Sequence, residues 1–165
     1  THLVEELLYL SRLDTIEENY HFDKVDLNEL INTCIERMNG IALKDDITIE
    51  ANIAECGIKL YADEEKLFRA ITNIITNCLR YAESKISIEL RNSANRKVEI
   101  IISDDGPGFD TSELSNIFER FYKGKKGNMG LGLAITKNVI EKHNGIVLAE
   151  NSNSGAVFRI ILPTV

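Results

Sequence analysis

Ser103-Asp104-Asp105-Gly106-Pro107-Gly108-Phe109 places an acid and two glycines directly after the apolar run Lys97–Ile102. Within that run Val98, Ile100 and Ile102 alternate with Glu99 and Ser103, the period of a strand with one buried face. Asp104 shares the parity of the apolar residues. Its carboxylate is therefore expected to point inward, where an unpartnered charge is costly. A plain reading makes Asp105-Gly106-Pro107-Gly108 a chain reversal and nothing more. A turn accounts for the glycines, but it does not need an apolar strand that delivers an acid. The functional reading is a carboxylate awaiting a donor from a ligand, with two glycines letting that ligand approach the main chain.

Two more groups of residues carry chemistry. On a helical period Leu67, Phe68, Ile71, Ile74, Ile75, Cys78 and Leu79 fall on one broad apolar arc, and Asn73, Asn77 and Arg80 gather on another side. The polar group could be a solvated face. Such faces favour Glu, Lys and Gln, however, and a mid-helix Asn costs about 0.5 kcal/mol in propensity. An amide oxygen suits Mg²⁺ as a hard neutral ligand, and an arginine suits phosphate. Further on, Gly127-Asn128-Met129-Gly130-Leu131-Gly132-Leu133 puts glycines where a helix begins, and accessible N–H groups there attract anions. No Gly-Lys-Ser/Thr follows, as a P-loop requires, and no strand precedes it, as the dinucleotide fingerprint requires. Arg120, Lys123, Lys125 and Lys126 lie just upstream. A charge run is usually only a solvated loop; beside a candidate phosphate site in an acidic protein it points to polyphosphate.

The elements that must position these groups follow from pattern. Residues 2–14 place Leu3, Leu7 and Leu10 at helical spacing, widened by Val4 and Leu8, and such a stripe needs a partner. Residues 15–20 read as a linker and 21–25 as a short strand. Asp26, with Glu29 three residues on, reads as the N-cap of a helix to about Leu43 that buries Leu27, Leu30, Ile31, Cys34, Ile35 and Met38 and is weakened by Gly40. Strands are expected at 47–53 and 57–61, and Asp63 caps a long helix to about Ala82. Strands 85–91 and 97–103 are joined by the turn Asn92-Ser93-Ala94-Asn95. An irregular region to Gly127 precedes a helix over 131–142 that His143-Asn144-Gly145 ends. Strands 145–150 and 156–162 close the chain. Helices that do not alternate strictly with strands imply a two-layer α/β sandwich of the α+β class, with helices on one sheet face.

Composition narrows the classes. The chain has 165 residues, 44% of them hydrophobic, which suits a single domain with a short appendage. A formal charge of -7 argues against a general binder of nucleic acid or anionic membrane. Cys34, Cys56 and Cys78 are odd in number and far apart, which favours a reducing compartment over a disulfide framework. No apolar run approaches a membrane span and no signal peptide is visible, so this chain is expected to be free of the membrane. It begins at Thr1 in the middle of a pattern, as an excised piece would.

Together these segments resemble the catalytic and ATP-binding domain of sensor histidine kinases, within the ATPase superfamily shared with gyrase, Hsp90 and MutL. Asn73–Tyr81 is similar to the family's N box, Asp104–Phe109 to its first glycine box, Ile117–Tyr122 to its F box and Gly127–Leu133 to its second glycine box. The order of the four matches, over residues 20–163. Residues 2–14 look like the end of a dimerisation helix. The resemblance divides the chain into a dimerisation-helix remnant and linker (1–19) and the catalytic domain (20–165). It implies a Bergerat-type sandwich: a mixed sheet of about five strands plus a short strand, covered on one face by about three helices.

By that resemblance Asn77 ligates Mg²⁺, while Asn73, Arg80 and Tyr81 line the phosphate and ribose side. Asp104 accepts the adenine amino group, and Gly106 and Gly108 shape the pocket floor. Phe118 and Arg120 belong to a flap over the nucleotide, with Lys123 as a further phosphate contact. Gly130, Leu131, Gly132 and Leu133 present backbone donors to the phosphates. The implied partners are the protein's own dimerisation and phosphoacceptor domain, a response regulator and a second copy in a homodimer; nucleic acid is not among them. The implied location is a cytoplasmic domain of a membrane-anchored parent. Three features depart from the family. The segment between Phe121 and Gly127 is short for an ATP lid, and Ala156 stands where a threonine usually assists the adenine-binding acid. No histidine is followed by the acid or amide and arginine of a phosphoacceptor box. The first two motivate an alternative, a nucleotide-sensing module without phosphotransfer; a gyrase-type clamp fits less well with the F box and the preceding helix.

Overall fold

A computed structural model of the chain describes residues 2–13, 19–53, 57–119, 122 and 131–165. Eleven elements run in the order α1 (His2–Leu13), β1 (Asp23–Asp26), α2 (Leu27–Lys44), β2 (Thr48–Ile53), β3 (Lys59–Ala62), α3 (Glu64–Tyr81), β4 (Lys85–Ser93), β5 (Lys97–Asp104), α4 (Leu131–Lys142), β6 (Ile146–Ser152) and β7 (Gly155–Pro163). Five strands make a mixed sheet in the order β2-β4-β5-β7-β6, and β1 and β3 pair separately. The expected α+β sandwich is present, with its helices on one side of the sheet.

Parity decides what each strand delivers. Val98, Ile100, Ile102 and Asp104 of β5 are all buried, as are Phe158, Ile160 and Leu162 of β7 and Ile86, Ile88 and Leu90 of β4. These alternate positions share the face that meets the helices. The helices answer with Leu27, Leu30, Ile31, Cys34 and Met38 of α2, with Leu67, Ile71, Ile74, Ile75 and Cys78 of α3, and with Ile135, Val139 and Ile140 of α4. Across the open face Glu150, Arg159, Glu99 and Arg91 form a chain of ion pairs over four strands.

The caps behave as read. Asp26 accepts from the Glu29 amide at 3.1 Å and Asp63 from the Lys66 amide at 3.1 Å. At the end of α4 the left-handed residue is Asn144 (φ 58°). Gly145 is needed for room, since a Cβ there would lie 2.6 Å from the Ile161 carbonyl oxygen.

Some boundaries differ from expectation, for physical reasons. The short first strand is Asp23–Asp26, because its partner is β3 and Asp26 must still cap α2. Strand β4 continues through Asn92 and Ser93, which pair with Val98 and Lys97; the reversal falls on residues 94–96, where Asn95 and Arg96 take positive φ. β2 lies parallel to β4, a crossover that a reading of local hairpins does not reach. α2 runs through Gly40 to Lys44, in line with the expected end near Leu43, and buries Ala42 there, while Ile35 is only half-buried. Leu3, Val4, Leu7 and Leu8 of α1 are exposed among the described residues, although α1 meets α4; the side chain of Leu10 is outside what the structure describes. Residues 15–18 of the expected linker, like residue 14 of the expected first helix, lie outside the described residues, but Tyr20 beyond them packs against the core. Cys34 and Cys78 are free and buried, and Cys56 lies outside the described residues.

Candidate functional site

The site forms where the end of β5, the second half of α3, the first turn of α4 and the β6–β7 hairpin meet. Asp104 is 5% exposed. Its Oδ1 accepts from the Gly106 amide at 2.9 Å, while Oδ2 is buried and has no hydrogen-bond partner. Burial raises its carboxyl above the ordinary range, against the lowering effect of the Gly106 and Ala156 amides and the Cys78 thiol. An orphaned carboxylate oxygen in a core is expensive unless something arrives to meet it. The same is true on the helix wall, where Asn77 Oδ1 is buried without a partner. As a hard neutral oxygen, that atom fits a divalent cation.

The two glycines of the loop are closely packed by the protein's own atoms. A Cβ on Gly106 would lie 2.2 Å from the Tyr81 carbonyl oxygen. One on Gly108, whose φ is +75°, would lie 2.7 Å from Asn151 Oδ1. Both Cβ positions are filled by the protein itself, so these glycines let the loop seat against α3 and β6. Gly155 repeats the theme: its Cβ would meet the Asp104 carbonyl oxygen at 2.1 Å.

Two acceptors hold the loop. Asp105 takes the amides of Glu83, Ser84 and Lys85 at 2.9–3.1 Å and the Ser84 hydroxyl at 2.5 Å. Burial opposes its ionisation, but the bonds from Ser84, Lys85 and Glu83 outweigh that and hold the carboxyl well below its usual range. Asn151 accepts the Phe109 amide at 2.8 Å and donates to the Phe109 carbonyl at 2.6 Å. Neither residue stood among the expected site residues. For Asp105 the signal was its place beside Asp104; for Asn151, a polar residue late in an edge strand, there was none.

Asn73 turns toward the second glycine box, its Nδ2 donating to the Gly132 carbonyl at 3.3 Å. Thr136 ties the same helices together, since its hydroxyl lies 2.9 Å from that carbonyl and 3.2 Å from the Ala70 carbonyl. α4 starts at Leu131, so the N–H groups of Leu131, Gly132 and Leu133 have no acceptor within their own helix. Leu133 itself is buried. Arg80 is exposed near the end of α3, and Tyr81 is half-buried with its carbonyl against Gly106.

Residues 110–119 fall in the region expected to be irregular. They form successive three-residue turns, closed by Glu113 to Asp110, Asn116 to Glu113 and Glu119 to Asn116. Ile117 is 2% exposed, and Phe118 meets Phe158 edge-on at 6.3 Å. Phe118 is thus anchored on the core. Arg120, Lys123, Gly127 and Gly130 lie outside the described residues.

Comparison with known proteins gives the family and agrees with the fold. Residues 62–165 match the family described as histidine kinase-, DNA gyrase B-, and HSP90-like ATPase, and the chain belongs to that family. The sensor histidine kinase CssS of Bacillus subtilis (strain 168) is 33% identical over 161 residues, covering 97% of this chain and 35% of that protein. The chain therefore spans about a third of the length of this curated relative. Among solved structures, the catalytic domain of histidine kinase ThkA is 26% identical with a TM-score of 0.80, over 87% of this chain and 95% of that one. Full-length ShkA in complex with AMPPNP superposes with a TM-score of 0.89 over 99% of this chain and 35% of that one; at 23% identity it speaks for the fold alone.

Proposed function

We propose that residues 20–165 are the catalytic and ATP-binding domain of a two-component sensor histidine kinase, and that residues 1–19 are the end of a dimerisation helix with its linker. The observation that carries the reading is the pair of buried, unpartnered acceptors, Asp104 Oδ2 and Asn77 Oδ1, on two walls of one site. A carboxylate accepts only, so Asp104 selects a base that offers an amino group, which is adenine. Asn77 would hold Mg²⁺, with Asn73, Arg80 and Tyr81 along the phosphate and ribose side. The metal would supply charge neutralisation between the phosphates. The first-turn amides of α4 (Leu131, Gly132, Leu133), preceded by Gly130, face the phosphates, and Arg120 and Lys123 complete the cationic side. Phe118 anchors the covering segment, while Gly106 and Gly108 set the floor beneath the base.

In such a kinase the γ-phosphoryl group passes to a histidine on the protein's own dimerisation domain. This domain's part is positioning and charge stabilisation. A response regulator would then take the phosphoryl group, and the parent would be a membrane-anchored homodimer with this domain in the cytoplasm. No helix among the described residues is long and apolar enough to cross a membrane. The likeness to the sensor histidine kinase CssS and to the catalytic domain of histidine kinase ThkA supports the reading.

The test combines calorimetry with a transfer assay. The chain should bind ATP with Mg²⁺ dependence, and Asn77→Ala should weaken Mg-ATP at least about tenfold, or roughly 1.4 kcal/mol. With a dimerisation domain supplied in trans, acid-labile label from γ-labelled ATP should appear on that domain. ATP binding with no transfer would leave the nucleotide-sensing alternative; no binding at all would remove both readings.

A further inference from the structure

The Asp104–Phe109 loop is pinned at its far end by one side chain from a strand that contributes nothing else to the site. Asn151 sits in β6 opposite Ala156 of β7, 42 residues from Phe109. Its carboxamide grips the main chain of Phe109 on both sides, Oδ1 taking the N–H at 2.8 Å and Nδ2 meeting the carbonyl at 2.6 Å. An asparagine amide carries one acceptor and one donor group at a fixed spacing, so it can stand in for a peptide group of a neighbouring strand. Edge strand β6 is in this way extended toward the loop by a side chain and not by its backbone.

The surrounding residues are shaped to this contact. Gly108 takes a φ of +75°, and any Cβ there would collide with Asn151 Oδ1 at 2.7 Å. Phe109, the gripped residue, packs edge-on against the fully buried Phe158 at 5.6 Å. Across the hairpin, Gly155 abuts the Asp104 carbonyl oxygen and the Ala156 amide acts on the Asp104 carboxylate. The hairpin therefore touches both ends of the loop, Asp104 through Gly155 and Ala156, and Phe109 through Asn151. Asn151 itself is exposed, which separates its role from core packing.

We propose that Asn151 is a positioning residue for the base of the bound nucleotide: by fixing Phe109 it sets the path of Gly106–Gly108 and the aim of the Asp104 carboxylate. The inference rests on the nucleotide-site reading above and adds a specificity determinant to it. Asn151 does not touch the ligand; it acts through the floor of the pocket.

The test uses the whole chain, with ATP and GTP as probes, for the wild type, Asn151→Ala and Asn151→Asp. Two readouts are taken, nucleotide affinity and hydrogen exchange at the Phe109 amide. Asn151→Ala should weaken ATP about tenfold, as expected for two lost hydrogen bonds of ordinary strength. It should also narrow the ATP-over-GTP preference and speed exchange at Phe109. Asn151→Asp keeps the acceptor for the Phe109 N–H but sets a carboxylate against the Phe109 carbonyl. It should therefore protect the Phe109 amide while narrowing the ATP-over-GTP preference. A mutation that only lowers the folded fraction would weaken both nucleotides alike and leave their ratio unchanged; that result overturns the proposal. So does an unchanged exchange rate at Phe109 in Asn151→Ala, which can be read with no nucleotide present. If the wild type binds no nucleotide, the reading of the site fails and the proposal with it; if it binds and the variants keep its preference, only the role of Asn151 fails.

Discussion

His143, at the end of α4, accepts the backbone N–H of Asp63 on Nε2 at 3.0 Å, joining residues 80 apart in the chain. Its Nδ1 lies 2.7 Å from the Val139 carbonyl, which can only accept, so the proton sits on Nδ1 and the ring is neutral. Burial lowers the pKa of His143, against the raising effects of Val139 and Asp63 and with the help of Lys66. Asp63 meanwhile caps α3 and accepts the His21 amide at 3.0 Å, and the rings of Tyr20 and Phe22 pack on the imidazole.

A stability change with pH follows from that arrangement. A histidine whose folded pKa is depressed contributes fully above its unfolded value of about 6.5 and loses that contribution as pH falls below it. The melting temperature should therefore drop between pH 7.5 and pH 5.5. In His143→Leu the starting stability is lower, but the slope over this range should be flatter. Parallel slopes in thermal melts of the two proteins would contradict the neutral-acceptor role.

Asp104→Asn should stabilise the fold while spoiling the site. The Asp104 pKa is raised, chiefly by burial, so the carboxylate form costs stability at pH above the ordinary carboxylate range. A neutral amide can still accept from Gly106 without carrying a charge into the core. Chemical denaturation at pH 7 should show a gain on the order of 1 kcal/mol, the scale of an unsatisfied buried group. ATP affinity should fall at least about tenfold, and the preference over GTP should shrink. A less stable variant with intact ATP preference would mean that Asp104 is a structural acid.

Asp105 works in the opposite sense from its neighbour. Its folded pKa lies below the unfolded value, so its contribution is present above about pH 4 and is lost as pH falls through the folded value. Asp105→Ala removes the acceptor of the amides of Glu83, Ser84 and Lys85 and should cost about 1 kcal/mol at pH 7. The difference from wild type should close as the medium is acidified below pH 4. Equal stability of the two proteins at neutral pH would refute the staple.

How far the chain could be read depended on whether a feature is local. Strand parity placed Asp104 in the interior because alternation along β5 needs only eight residues. The caps at Asp26 and Asp63 were equally readable, since each bonds an amide three positions on. The pairing of β2 with β4 was not, because a parallel pair depends on how the crossover between them, β3 and α3, packs. The same holds for the Asn151 clamp on Phe109, whose partners meet only after both hairpins have docked. Gly106 and Gly108 were noticed as glycines, but what crowds them, the Tyr81 carbonyl and the Asn151 amide, is tertiary.

The chain should bind ATP and yet fail to label itself, for reasons of geometry as well as sequence. His143 is 4% exposed, and both of its ring nitrogens are engaged, so its Nε2 lone pair is not free to attack a phosphorus. His21 is exposed, but its backbone is fastened to Asp63 at the opposite end of α3 from Asn77. Fourteen residues of helix at 1.5 Å each put about 20 Å between those ends, too far for in-line transfer within one molecule. His2 is followed by Leu3 and Val4 and so lacks the acid or amide that follows the histidine of a phosphoacceptor box. Transfer to a separately supplied dimerisation domain should occur weakly, because no covalent link raises its effective concentration. Acid-labile phosphate should be measured on the dilute chain with and without that domain. Stoichiometric labelling of the chain alone, lost in His2→Ala, His21→Ala or His143→Ala, would place the acceptor here.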